Sequence, residues 1–200
     1  MIKRISAWTI LIGLLIYSCT QAETERELVK QERWLSYYQL EMKMFDDTLR
    51  IEKPGWYVTD YHPKEKTLAI FNEFFVYSPD SNFYIDLDSY SRVLEKDSGN
   101  NLVSYGSEVD SEVALVDLKL NQRIRIIFCG TACRPEEAQW IDAENVRIYG
   151  FSELENKTVP VIWNYNLTDE SLTEIKSAVV VNKKPEGYVE EVRMGEVRVK

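Results

Sequence analysis

Tyr77-Ser78-Pro79-Asp80-Ser81-Asn82-Phe83-Tyr84-Ile85-Asp86 decides the fold class. Ser-Pro-Asp is turn chemistry: proline presets one backbone angle and aspartate bonds its own backbone two residues on. The run that follows is aromatic and β-branched, which suits a pleated strand. The same grammar returns 62 or 63 residues later, where Trp140-Ile141-Asp142 leads into Asn145-Val146-Arg147-Ile148-Tyr149. Between and around these stretches, β-type runs alternate with turn signals at Asp97-Ser98-Gly99-Asn100, Leu120-Asn121-Gln122 and Pro185-Glu186-Gly187. The strands expected are Trp56–Asp60, Thr67–Tyr77, Asn82–Ser89, Arg92–Lys96, Glu112–Leu118, Arg123–Cys129, Asn145–Phe151, Val159–Asn166, Ala178–Asn182 and Tyr188–Val199. A short helical turn is expected at Pro135–Gln139, where a proline start precedes Glu136-Glu137-Ala138.

N-terminal to Lys53-Pro54-Gly55 the period changes. From Glu25 to Leu49 there is neither proline nor glycine, and Leu28, Leu35, Met42 and Leu49 recur every seven residues, with Tyr38 and Phe45 between them. That spacing predicts one long amphipathic helix over 27–49, packed on the sheet. The class is therefore mainly β, in antiparallel blade-like or sandwiched sheets, with an N-terminal α-helix laid on them. Residues 27–200 are read as one domain, with the strands in 56–199.

The two related stretches resemble the opening of a β-propeller blade of the kind found in bacterial envelope proteins. The resemblance covers roughly half of the chain and implies units of three or four antiparallel strands. The chain departs from that pattern in length. A closed propeller takes at least four blades, and 200 residues hold about two such units.

The first eighteen residues are of another kind. Lys3 and Arg4 precede Ile5–Tyr17, which carries no charge. Thirteen helical residues span roughly 20 Å, short of the roughly 30 Å of a bilayer core, so the segment suits the apolar region of a signal peptide. Ile16-Tyr17-Ser18-Cys19 follows and resembles a lipobox, with Tyr17 standing where a smaller residue is commoner. The resemblance to bacterial lipoproteins implies cleavage after Ser18, diacylglycerol on the Cys19 sulfur and a third acyl chain on the new amino group. Residues 19–26 are then a lipidated tether. Thr20, in place of aspartate, resembles the outer-membrane sorting pattern. The expected location is the cell envelope, on a membrane through the anchor.

Without residues 1–18 the 24 basic residues fall to 22 against 33 acidic ones, a net charge of −11. That charge argues against nucleic acid as a partner, because phosphate contacts by Lys and Arg dominate such binding. Beyond Cys19 the cysteines are Cys129 and Cys133, in Cys129-Gly130-Thr131-Ala132-Cys133. An oxidising compartment permits a bridge between them, provided the Cα atoms approach within about 4.4–6.8 Å. A metal centre is disfavoured, since the chain has one histidine. No cofactor is expected.

His62, in Asp60-Tyr61-His62-Pro63, is a loop residue more readily than a catalytic base. The acids Asp80, Asp86 and Asp88, near Glu108, Asp110 and Glu112, are the best carboxylate cluster. An acid/base pair of the glycosidase kind needs two carboxyls about 5–9 Å apart in a cleft. Asp86 and Asp88 share a strand face while Ile85 and Leu87 share the other, which is also how a half-exposed strand reads without any function. Aromatics such as Trp56, Tyr57 and Tyr61 offer a platform for carbohydrate or peptide. No assembled catalytic motif is present. The expected function is a binding or scaffolding module at the envelope, for a protein or a glycan; the alternative is a carboxylate-dependent hydrolase acting on glycans.

Overall fold

Asp80 closes its turn as its chemistry dictates. Its Oδ1 accepts from Ser78 Oγ at 2.7 Å and from the Asn82 N–H at 3.1 Å, and Ser81 takes a left-handed φ of 56°. In the computed structural model, which describes residues 30–52, 57–107, 110–181 and 187–199, this turn joins β3 (Val76–Tyr77) to β4 (Phe83–Asp86). Asp142 repeats the device, accepting from the Glu144 and Asn145 N–H groups at 2.8 Å each. It joins β9 (Cys133–Trp140) to β10 (Asn145–Leu154). The 63-residue spacing from Tyr77 to Trp140 thus marks the first hairpin of each of two sheets.

Those two sheets share one plan. The first runs β1-β12-β11-β10-β9, with β1 at Phe45–Glu52, β11 at Lys157–Asn166 and β12 at Ser171–Ser177. The second runs β2-β8-β7-β4-β3, with β2 at Tyr57–Asp60, β7 at Ser111–Asp117 and β8 at Gln122–Gly130. Each is four antiparallel strands in chain order, with one earlier strand added beside the last. The hairpin of β5 (Arg92–Lys96) and β6 (Leu102–Ser107) leaves the second sheet between β4 and β7. There it forms a small sheet with β13 (Arg198–Val199), which runs parallel to β6.

Strand alternation sorts the side chains into two cores. Ile85, Leu115, Ile148, Trp163 and Leu172 lie in one, which both sheets line. Their sequence neighbours Tyr84, Val116, Tyr149 and Ile162 lie in the other, with residues from the helices. Both faces of the central strands are therefore buried, so these strands read as continuous apolar runs.

The long helix expected over 27–49 is not what forms. Helical residues are seen at 30–37 (α1), and residues 27–29 lie outside the described part. The helix ends in a Schellman motif: Leu40 N–H bonds Leu35 O at 2.8 Å, Gln39 N–H bonds Ser36 O at 3.1 Å, and Gln39 takes φ 57°. Glutamine occupies the position where glycine usually announces such a stop, so the sequence carries no visible signal. The chain then turns through Met42–Met44 and enters β1, which pairs with β12 along its length.

Other expectations also need correction. Thr67–Tyr77 is not a strand: Glu65–Phe71 forms a helix, α2, that buries Ile70 and Phe71, and only Val76–Tyr77 is extended. Its apolar residues suit either period over so short a run. Pro135–Gln139 is not helical but lies within β9, an edge strand, where a proline costs no ladder bond. Of Ala178–Asn182, the described residues 178–181 hold a single bridge, from Val181 to Thr158, and Asn182 lies outside the described residues; the strand is the preceding Ser171–Ser177. Tyr188–Val199 is not one strand: it holds a π-helical turn at Val189–Arg193, and only Arg198–Val199 is extended.

A bulge in β9 opposite Gly150 lets Glu136 and Glu137 point into the same side of the protein. Gly150 is required there. A Cβ on it would collide with the Arg134 carbonyl oxygen and come within 2.9 Å of Pro135 Cα. Gly150→Ala is expected to cost about 1–3 kcal/mol through this backbone clash. A urea midpoint equal to wild type would show that the strands do not approach so closely.

Candidate functional site: an aromatic shelf beside buried ion pairs

Asp86 ends β4 with its carboxylate turned inward. It accepts from the Asp88 and Ser89 N–H groups at 3.1 and 2.9 Å, from Ser89 Oγ, and from Arg123 NH1 at 2.7 Å. Arg123, on β8, also donates through NH2 to Glu112 Oε1 at 2.8 Å, and Arg125 Nε donates to Glu112 Oε2 at 2.6 Å. Asp86 and Glu112 are thus brought to one guanidinium, both buried. Asp88 goes elsewhere: Arg193 grips it with two bonds of 2.7 and 2.6 Å, and Arg92 adds a third of 3.0 Å. Asp86, Leu87 and Asp88 are all buried, so this is no half-exposed strand. Burial of these acids is tolerable because each faces a cation with hydrogen-bond geometry.

A second polar seam docks α1. Trp34 Nε1 and Tyr38 OH donate to Glu136 Oε2 at 3.0 and 2.8 Å, and Arg33 NH2 donates to Glu137 Oε2 at 2.6 Å. Lys30 reaches the Ala138 carbonyl at 3.0 Å, and Gln31 Oε1 accepts from Arg147 NH1 at 2.9 Å and Tyr149 OH at 3.1 Å. The two adjacent glutamates differ in charge preference. Burial pushes the Glu136 carboxyl above its ordinary range, and Tyr38, Arg134 and Trp34 offset only part of that. Burial also pushes Glu137 upward, but Lys30, Arg193 and Arg33 outweigh it and hold the group below the usual range. Glu136 is the carboxyl nearest in character to a general acid, yet it is 0% exposed, with Oε2 taken up by Trp34 and Tyr38 and Oε1 3.3 Å from Arg134 Nε.

On the same face of the second sheet as Arg123, the strands end in exposed rings. Tyr57 on β2 stands opposite Arg125, and Phe128 stands opposite Glu112. The Arg125 guanidinium lies 5.2 Å from the Tyr57 ring centre, 4.3 Å from Phe128 and 5.7 Å from Tyr90. Tyr90 and Phe128 meet edge to face at 6.1 Å. The residues Tyr57, Tyr90 and Phe128 are 61%, 42% and 46% exposed. At the other end of this face Tyr84 is buried under Phe75, stacked at 4.3 Å.

The remaining sequence candidates divide clearly. Asp80 is an exposed turn residue whose carboxyl is held below its usual range by Ser78 Oγ and the Asn82 N–H. Tyr61 is half-buried, accepts from Tyr84 OH at 2.9 Å and lies 5.9 Å from Arg123. Cys129 and Cys133 form a disulfide with Cα atoms 5.6 Å apart, Gly130 taking φ 53° between them. The bridge ties the end of β8 to the start of β9 where the chain passes from one sheet to the other. His62 is exposed in a loop. Trp56, Glu108 and Cys19 lie outside the described residues. Among the described residues no group of three or more His, Cys, Asp or Glu side chains is placed to hold a metal ion, and no helix is long and apolar enough to cross a membrane.

Tyr90, Phe128 and Arg125 escaped the sequence reading. Phe128 joins the Arg123/Arg125 face only because a bulge adds a residue between Arg125 and Ile127. Strict alternation would place it on the opposite face. No protein-family model matches the chain, and comparison with curated proteins and with solved structures finds no match.

Proposed function

We propose that the chain is a bacterial envelope lipoprotein, fixed to a membrane by acyl chains on Cys19, whose β-rich body is a binding module. The observation that carries the binding reading is the group of exposed rings around Arg125. Three rings at this exposure, gathered about one guanidinium, form a surface that a partner would desolvate favourably. The anchor reading is supported by Ile16-Tyr17-Ser18-Cys19 after an uncharged run too short to span a bilayer.

The two parts fit in scale. Lys30 on α1 lies eleven residue steps after Cys19. Fully extended they reach at most about 40 Å, so the body works close to the membrane surface. Acyl chains hold it there: each buried CH₂ contributes about 0.8 kcal/mol, and two chains suffice for stable attachment. The hydrolase alternative gains no support from Asp86 and Glu112, whose oxygens are taken up by arginines.

Cys19→Ser tests the anchor in the producing cell. The variant should leave the membrane fraction and lose labelling by a fatty-acid probe. A membrane pool equal to that of the wild type would refute lipidation.

A further inference from the structure

We propose that Tyr57, Tyr90 and Phe128, with Arg125 stacked among them, bind a neutral oligosaccharide. This deepens the binding-module reading and rests on it.

The shelf is held rigid from beneath. Arg125 is fixed by Glu112, Glu112 by Arg123, and Arg123 by Asp86, through bonds of 2.6 to 2.8 Å. A preorganised surface of this kind loses little freedom on binding. Its chemistry selects against several partners. Two arginines face two carboxylates, so the underlying charge cancels locally, on a chain whose net charge is −9. An anion would meet the repulsion of the whole protein, and a cation would find the centre of the rings already filled by a guanidinium. A wholly apolar partner would cover Arg125 without replacing the water around its head group, the side chain being 30% exposed. A neutral sugar meets each requirement. The C–H faces of its rings lie on the aromatic side chains, and its hydroxyls accept from the exposed part of the Arg125 guanidinium and bond the Tyr57 and Tyr90 hydroxyls at the margin. The lipid anchor proposed above keeps the shelf in the envelope, where envelope and captured glycans are found.

The test uses the mature chain carrying Cys19→Ser, so that it is handled without detergent. It is titrated calorimetrically with neutral hexasaccharides (β-1,4-glucan, β-1,4-mannan, α-1,4-glucan, chitohexaose) and with hexagalacturonate as the anionic arm. At least one neutral member should bind saturably. Phe128→Ala and Tyr57→Ala should each weaken that binding about tenfold without moving the melting temperature, because both rings are exposed. Three results overturn the proposal: no neutral member binds, binding survives both substitutions, or hexagalacturonate binds more tightly. A photocrosslinking amino acid at position 57 of the anchored protein in cells separates the two readings. A protein adduct without glycan binding overturns the glycan proposal and leaves the binding module standing. Neither adduct nor glycan binding overturns both.

Discussion

Glu137→Ala is expected to destabilise the protein by about 3–5 kcal/mol, the usual cost of removing one member of a buried ion pair. Glu137 is 1% exposed and accepts from Arg33 NH2 at 2.6 Å and Tyr188 OH at 3.0 Å, with Lys30 Nζ 3.7 Å away. Without it these cations and the phenol face a cavity with no acceptor in it. Chemical denaturation measures the loss, and a midpoint within error of wild type would mean that water already reaches the group. The neighbouring glutamates also predict opposite pH responses. Glu137 has a folded-state value below 4.5, so its contribution is present above that value and lost as the pH falls through the lower one. Glu136 is raised above 4.5, so its contribution is full below that value and lost as the pH rises through the higher one. Glu137→Gln should therefore flatten the acid side of a stability profile taken between about pH 3 and 8, and Glu136→Gln the other side.

Trp34→Ala is the second large effect, at about 3–5 kcal/mol for a buried tryptophan. In a chain of this size that lowers the melting temperature by roughly 6–20 °C. Trp34 is fully buried, with its ring 5.5 Å from Phe151 and 5.6 Å from Tyr149. Its indole N–H is also one of two donors to Glu136 Oε2. Truncation therefore leaves both a cavity and a buried carboxylate short of a partner. Differential scanning calorimetry checks it; a shift of a degree or less would mean that α1 is not an integral part of the core.

What the sequence reveals and hides follows from which interactions are local. The Asp80 and Asp142 turns are local, and the hairpins they open were legible as a spaced repeat. Arg92–Lys96 needed only its flanking turns. The end of α1 was hidden because Gln39 adopts a left-handed conformation that its residue type does not advertise. Cys133–Trp140 was hidden for a different reason. A run with two adjacent glutamates reads as solvated helix until Arg33, Trp34 and Tyr38, about a hundred residues earlier, supply the partners that let it be buried as strand. The site divides in the same way. The sequence groups Asp86 with Asp80 and Asp88 and sets Glu112 only in a nearby stretch, because the convergence of Asp86 and Glu112 on Arg123 depends on pairing between β4, β7 and β8. The shelf needed a bulge to bring Phe128 beside Arg125, and nothing in the residue types marks where that extra residue falls.

Intact mass spectrometry of the protein purified from its producing cell bears most directly on its place in the envelope. The expected species begins at residue 19 and carries diacylglycerol, with or without a further acyl group. A polypeptide that retains Met1, or a free thiol at residue 19, would contradict the account of where this protein resides and what its aromatic surface faces.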